Sequence, residues 1–505
     1  MQPAAVSPRL RAVLDLMVAS AREEAGHHEY DGQVQDLSDD GVRRGLAALG
    51  GERLPDSHDD AHLTAHEVGR RIEFAELAFH RSNPLWHMTN LEVTCYDRAY
   101  APESDRALAR RRHLAAWPAA VDVAVTTLDR VPAPVARSLV EGVRGLAAEI
   151  PADLPETAPA LAAHQRLVQH IEHLASTGSP EAAIGEGALA RLMGGVEALT
   201  VDLGDLAVRA DKEQARLAEL LADSCARIRP GAPVAEVVAD LLADHPSAEG
   251  VIAEAKELTA EVIAFTAERG LVSHLDGECV VGISPESRRW ATAMLSWAAP
   301  GEPDTPTRYD ITPPEPAWPK AEQDEWLSMF NRTSMPAITV HEVAPGHFAH
   351  SRALRHARGE VRRSLFGGAF VEGWAHYTEE MMLEEGFRAD DPRYAAGVAL
   401  EALCRVTRLA CAIGLHTGAM DVAEATRRFQ SHAHLSEAVA RSEAQRGTFD
   451  PGYGMYTWGK WEILRTREQA QLAWGGAFTV RRFHDALLTL GSPPLGLLGT
   501  AVERG

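Results

Sequence analysis

Cysteine is scarce in this chain, five in 505 residues. Cys95, Cys225, Cys279, Cys404 and Cys411 are odd in number and lack the close pairing of a thiolate metal site. A disulfide framework is therefore excluded, and buried free thiols in a reducing compartment are expected. Long apolar runs are also missing. None reaches the 18 or so residues needed to cross a bilayer. The N-terminal run Ala12 to Ala19 is short, carries Asp15 and follows Arg9 and Arg11. It reads as an amphipathic helix rather than a secretion signal, and no lipid-anchor cysteine stands near the start. Basic residues are in the minority, 50 against 72 acidic, for a net charge of -22. That deficit argues against nucleic acid, whose backbone demands a basic surface, and against anionic membranes. It favours solubility and a cytoplasmic setting. No internal repeat or low-complexity tract is present.

What is there is helix. A chain of 54.7 kDa hides roughly three quarters of its unfolded surface when folded. Residues 1–276 are rich in Ala, Leu, Glu and Arg, with apolar residues at three-and-four spacing. Asp105–Trp117, Val135–Ile150, Ala158–Leu174, Asp211–Ile228 and Ala248–Arg269 read as helices of one N-terminal region that walls a cleft. The pattern changes near 277. Cys279–Ile283, Arg289–Trp297 and Thr307–Ile311 carry β-compatible alternation, which predicts a small sheet or hairpin. Ala291–Trp297 is the candidate edge strand for pairing with a substrate backbone. From about 335 the chain is helical again: 335–357, 366–386, 392–417, 421–430, 453–474 and 480–490.

The chemistry concentrates in His341-Glu342-Val343-Ala344-Pro345-Gly346-His347, followed by Glu372-Gly373-Trp374-Ala375. Two histidines and a downstream glutamate make the ligand set of a catalytic zinc site, which needs three ligands and one open position. Glu342 is the extra carboxylate that takes a proton from the attacking water. The histidines are six apart rather than four. On an unbroken helix they would point roughly 120° apart. Pro345 breaks the ladder and Gly346 tolerates unusual angles, so a kink is expected that swings His347 beside His341. Glu379, two turns beyond Glu372, is a candidate to hold a ligand imidazole by its second nitrogen. His376, one turn from Glu372, is a candidate alternative ligand or supporting donor. His62 and His66 share the i,i+4 spacing of a metal pair, but no glutamate follows His62, and they read as decoys.

These residues resemble the bacterial domain of unknown function 885 family, predicted metallopeptidases with the signature His-Glu-x-x-Pro-Gly-His and Glu-Gly-Trp-Ala-x-Tyr-x-Glu. Here the two motifs read HEVAPGH at 341–347 and EGWAHYTE at 372–379. Arg405-x-x-Arg408-Leu409, Gly414-Leu415-His416, Tyr456-x-x-Gly459 with Leu464-Arg465, and Phe483–Leu488 with Gly491 and Pro494-Leu495 extend the match over roughly 280–505. More distantly the arrangement is similar to helical gluzincin peptidases such as thimet oligopeptidase and carboxypeptidase Taq. The resemblance implies a mainly α, multi-helical architecture with a small sheet beside the metal helix, the catalytic region 277–505 forming one integrated fold with the helical region 1–276. It also implies one zinc per chain, replaceable by manganese or cobalt. Tyr456 is then the candidate oxyanion donor, with Tyr453 a weaker version, and His416 a candidate substrate or oxyanion contact. Arg405, Arg408 or Arg465 is a candidate grip on a substrate carboxylate. Two positions depart from the family: Ala412 stands where Asp is common, and His376 where an aliphatic residue is usual.

The reading that follows is a zinc hydrolase of amide bonds in short peptides, with neither nucleic acid nor membrane as partner. One alternative keeps the metal but cleaves a pseudopeptide or acylated small molecule in a pathway; the lost Asp at Ala412 gives it weight. Another is a non-catalytic metal-bearing scaffold, against which the intact Glu342 argues.

Overall fold

The computed structural model describes residues 6–285, 288–289, 292–303 and 305–505. The chain is mainly helical, with 67% of it in helix, and carries one small three-stranded sheet. The principal helices of the first half are α1 (Ser57–Arg71), α2 (Glu103–Thr127), α3 (Ala133–Gly145), α4 (Thr157–Thr177), α5 (Glu186–Val196), α6 (Leu203–Ile228) and α7 (Val251–Arg269). Strands β1 (Cys279–Ile283), β2 (Ala293–Ser296) and β3 (Thr307–Ile311) follow. Then come α8 (Met335–Glu342), α9 (His347–His356), α10 (Gly368–Glu384), α11 (Pro392–Thr417), α12 (Val422–Ala433), α13 (Glu437–Phe449), α14 (Met455–Trp474) and α15 (Val480–Leu488).

The longest helices carry their own start and stop signals. Asp391 caps α11 by accepting from the Arg393 amide at 3.0 Å, Pro392 fills its first position, and Gly418 ends it in the left-handed region at φ 74°. Asp202 caps α6 in the same way through the Asp205 amide. These two helices lie along each other. Helices α10 and α14 form the other close pair. They cross at Gly373 and Gly459, where a Cβ on Gly373 would sit 2.5 Å from the Gly459 backbone. Only glycine permits that approach.

The first half is not one unit. Leu114, Trp117, Val121, Ala136 and Ile171 close a core among α2, α3 and α4. Leu189, Leu217 and Val262 of α5, α6 and α7 instead join Val340, Trp374, Leu403 and Ile463 in one continuous core. The core therefore crosses the boundary drawn at 276.

The sheet has the order β1-β3-β2, with β1 parallel and β2 antiparallel to the central β3. It is a mixed sheet rather than a hairpin. Tyr309 is the pivot, opposite Val281 on one side and Leu295 on the other. Strand β2 is an edge strand but spans only Ala293–Ser296. Ala291, the start of the expected segment, lies outside the described residues, and Trp297 lies past the strand's end.

Candidate metal centre

The predicted kink is present. Helix α8 ends at Glu342, α9 starts at His347, and four residues turn the chain between them. The Ala344–Pro345 peptide is cis. Gly346 packs so closely that a Cβ would collide with the carbonyl oxygens of Val340 and His341. The turn keeps its backbone satisfied. The Gly346 amide donates to Val340 O at 3.2 Å and the Ala349 amide to Val343 O at 3.2 Å. The Trp374 indole donates to Pro345 O at 3.0 Å. This last bond ties α10, the helix of Glu372, to the break itself. Trp374 is also fully buried. Its spacing two residues after Glu372 was visible, but the partner 29 positions away was not.

The break brings the two imidazoles face to edge, ring centroids 4.7 Å apart and planes at 84°. Glu372 completes the cluster. Its Oε2 lies 3.3 Å from His341 Nε2 and 3.5 Å from His347 Nε2, yet has no hydrogen-bond partner. A tetrahedral cation with bonds of about 2.0–2.1 Å has ligand–ligand edges of about 3.3–3.4 Å. The two edges from Glu372 Oε2 to the imidazoles therefore have about the length of a tetrahedral ligand set. A Glu342 carboxylate oxygen lies within 4.8 Å of a ring nitrogen of each histidine, and Glu342 Oε2 is buried without a partner.

Glu379 supports the cluster from behind. It is fully buried, accepts from His341 Nδ1 at 2.7 Å, and faces Arg405 Nη1 at 3.1 Å and His376 Nδ1 at 3.3 Å. A proton on Nδ1 leaves the Nε2 lone pair of His341 aimed at the cluster. Burial would raise the Glu379 pKa, but Arg405, His376 and His341 hold it far below the usual carboxylate range. His341 itself is held up at about 9: burial and Arg405 oppose its charging, while Glu372 and Glu379 outweigh them, so Nε2 offers its lone pair to a cation only once a proton has left it. Burial pushes the Glu342 carboxyl up, with Glu372 adding to the shift and the two imidazoles and Arg405 opposing it. A raised carboxyl pKa suits a general base.

Tyr456 borders the site. Its ring lies 6.2 Å from that of His341, tilted 25°. Arg408 and Arg405 sit over it at 5.2 and 5.9 Å. Burial and Glu372 keep its phenol protonated against the pull of Arg446 and Arg408. The phenol therefore keeps a proton it can donate.

Several expected site residues are placed elsewhere. His416 Nε2 binds the Gly447 carbonyl at 2.7 Å. It stands eleven residues past Arg405 on α11, about 16 Å along the axis, and serves the helix end. Tyr453 is buried with Cys411, Ala412 and Leu415 in a separate apolar cluster. Arg465 pairs with Glu462 on the half-exposed flank of α14. Arg408 is held by two 2.7 Å bonds to Glu443. Arg405 is buried on Glu379 and positions it instead of reaching for substrate. Ala412 lies seven residues past Arg405, about 10 Å along the helix, so the change at that position does not touch the imidazoles. In the sheet, Tyr309 of β3 and Cys279 of β1 feel Glu342, and burial and Glu342 push the Cys279 thiol up to about 12.

A mainly helical protein with two imidazoles and two carboxylates gathered at a helix break is the class that fold and site define. The chain belongs to the family described as bacterial protein of unknown function (DUF885), whose model matches residues 20–502. No curated protein matches it. Among solved structures it is similar to "a putative lipoprotein of unknown function" from Shewanella oneidensis, at 19% identity and TM-score 0.72, covering 99% of this chain and 100% of that one. It is also similar to "the putative lipoprotein from Colwellia psychrerythraea", at 17% identity and TM-score 0.77, covering 99% of each. Their description as lipoproteins overturns the cytoplasmic placement expected from composition. Acidic charge and few cysteines govern solubility and thiol chemistry, and neither specifies a compartment. Among the described residues, no helix is long and apolar enough to cross a membrane.

Proposed function

We propose that the protein is a zinc-dependent hydrolase of amide bonds in short peptides, with a gluzincin-like catalytic centre. The observation that carries this reading is the pair of 3.3 and 3.5 Å separations from Glu372 Oε2 to His341 and His347, beside the unpartnered Glu342. His341, His347 and Glu372 would hold the metal, one per chain, and manganese or cobalt would serve in its place. When bound, such a metal acidifies water and polarises a carbonyl.

The residues supply the rest. Glu342 takes the proton of the attacking water and returns it to the leaving amine. Its elevated pKa fits both halves of that exchange. Glu379 and Arg405 keep the His341 ring in the right tautomer and orientation. Tyr456 donates to the carbonyl oxygen as negative charge develops there. The entrance favours small substrates. His341, Glu342, His347 and Tyr456 are each at most 9% exposed, and the Glu372 side chain is 22% exposed. A folded protein cannot present a bond to so enclosed a group. The pathway-enzyme alternative drew its weight from Ala412, and that weight falls away with Ala412 in a separate apolar cluster.

The test is Glu342→Gln, assayed with a library of dipeptides and tripeptides alongside acyl-amide metabolites. The variant is expected to bind zinc like the parent and to lose about 10²–10⁴ in turnover. Full activity in the variant would overturn the base assignment. Turnover of the acyl amides alone would overturn the peptide assignment.

A further inference from the structure

A second cluster of metal-type donors lies at the far end of the helix that carries His347. Helix α9 runs from His347 to His356, nine steps or about 14 Å. At its last residue, His356 meets His274 and Asp276 from the segment joining α7 to β1. One donor atom from each of the three lies within 4.8 Å of the others. The His274 and His356 rings stack at 3.9 Å with planes 12° apart. Asp276 Oδ1 stands 3.6 Å from His356 Nε2.

We propose that His274, Asp276 and His356 form a second, weaker site for a borderline divalent transition metal such as zinc or nickel. Two imidazoles and one carboxylate suit these metals rather than calcium or magnesium, which prefer all-oxygen cages. Asp276 is already oriented for the task. Arg352 Nη2 holds its Oδ2 at 2.6 Å, which leaves Oδ1 as the donor turned to the histidines. The position also suits a cation, since the partial negative charge of the α9 C-terminus falls there. Stacked rings present their lone pairs side by side, so a shared ion needs the two planes to tilt towards each other. His356 and Asp276 are 49% and 54% exposed at the side chain, which leaves room for that rotation. The neighbouring guanidinium and the exposure both keep affinity below that of the buried centre. Three protein donors leave further coordination positions for water or an exogenous ligand.

The consequence is mechanical. The segment bearing His274 and Asp276 runs into Cys279 of β1, which lies in the field of Glu342. An ion there fastens the approach to β1 onto the helix that starts with His347. The assignment stands independently of the reading of the inner centre.

Calorimetric titration with zinc and with nickel tests it on four full-length proteins: the parent, His356→Ala, Asp276→Asn and His347→Ala. The parent is expected to take one tight and one weaker equivalent. His356→Ala and Asp276→Asn should lose the weaker one, by at least about tenfold in affinity, and keep the tight one. His347→Ala should do the reverse. Equal weak binding in the parent, His356→Ala and Asp276→Asn would overturn the proposal, as would a parent that takes no second equivalent. Retention of the tight equivalent in His347→Ala, with the weaker one still lost in His356→Ala and Asp276→Asn, would refute the inner centre and leave this one standing.

Discussion

At His341 one carboxylate decides which ring nitrogen is free. Glu379 takes the Nδ1 side at 2.7 Å and is anchored in turn by Arg405. Glu379→Gln keeps the shape but weakens the acceptor. It should lower metal affinity about 10–100-fold with the fold retained, as measured by competition with a chelator. Unchanged affinity would show that Glu379 serves packing alone. Tyr456→Phe should lower kcat about 10²–10³-fold with KM little altered, the signature of a donor used in the transition state. A rise in KM alone would make it a binding residue. The meeting of His341, Glu342 and His347 was legible in the sequence because the Pro345-Gly346 break lies between them in the chain. The roles of Arg405 and Trp374 were not, because each is set by a partner far away: Glu379, 26 positions off, and Pro345, 29 positions off. His416 and Tyr453 misled for the converse reason. They lie on the right helix or beside the right motif, but helical rise carries one past the site and a separate apolar cluster claims the other.

At the scale of elements, periodicity and caps located most helices. The span 392–417 was read as α11 stands, since Asp391, Pro392 and Gly418 punctuate it. Thr307–Ile311 is likewise β3. Strand pairing was illegible because β1 and β3 associate in parallel across a long connection. The crossing of α10 and α14 could not be read from sequence either, although Gly373 and Gly459 make it. Gly459→Ala would drive a methyl into Ala369 O and to 2.8 Å from Gly373 Cα. It should cost about 2 kcal/mol, typical of overpacking, with a matching drop in denaturant midpoint. An unchanged midpoint would mean that the helices part freely.

Glu197 follows α5 and accepts from the amides of Leu495 and Ala369, the latter in the first turn of α10. Burial lifts its pKa from 4.5 to about 7 against those two donors. Between those values the folded chain keeps a proton that the unfolded chain has lost. The stability this provides is present in full below about pH 4.5 and is lost as pH rises towards 7. The shift corresponds to about 3 kcal/mol. Glu197→Gln should remove that much of the fall, read as the difference between parent and variant in denaturation across the window. Parallel curves would contradict it.

Taken whole, the molecule buries the cluster of His341, Glu342, His347 and Glu379. Helices α5, α6 and α7 of the first half share the core on which α8, α10 and α11 rest. A cavity of about 450 Å³ lined by His28, Asp31, Asp105 and Arg112 lies among first-half residues and includes none of the metal-centre side chains. Enclosure predicts a size limit. Cleavage of peptides should fall steeply with length and vanish for a folded protein, as followed by mass spectrometry of a graded peptide mixture. Digestion of folded casein-sized or larger substrates as fast as tripeptides would refute the limit. Composition pointed to the wrong compartment, because net charge carries no address.

The most direct measurement is anomalous scattering at the zinc edge from crystals grown with the metal. A single strong peak about 2 Å from His341 Nε2, His347 Nε2 and the Glu372 carboxylate, lost in His347→Ala, is the predicted result. Zinc-loaded crystals with no peak between those three side chains would contradict the account at its centre.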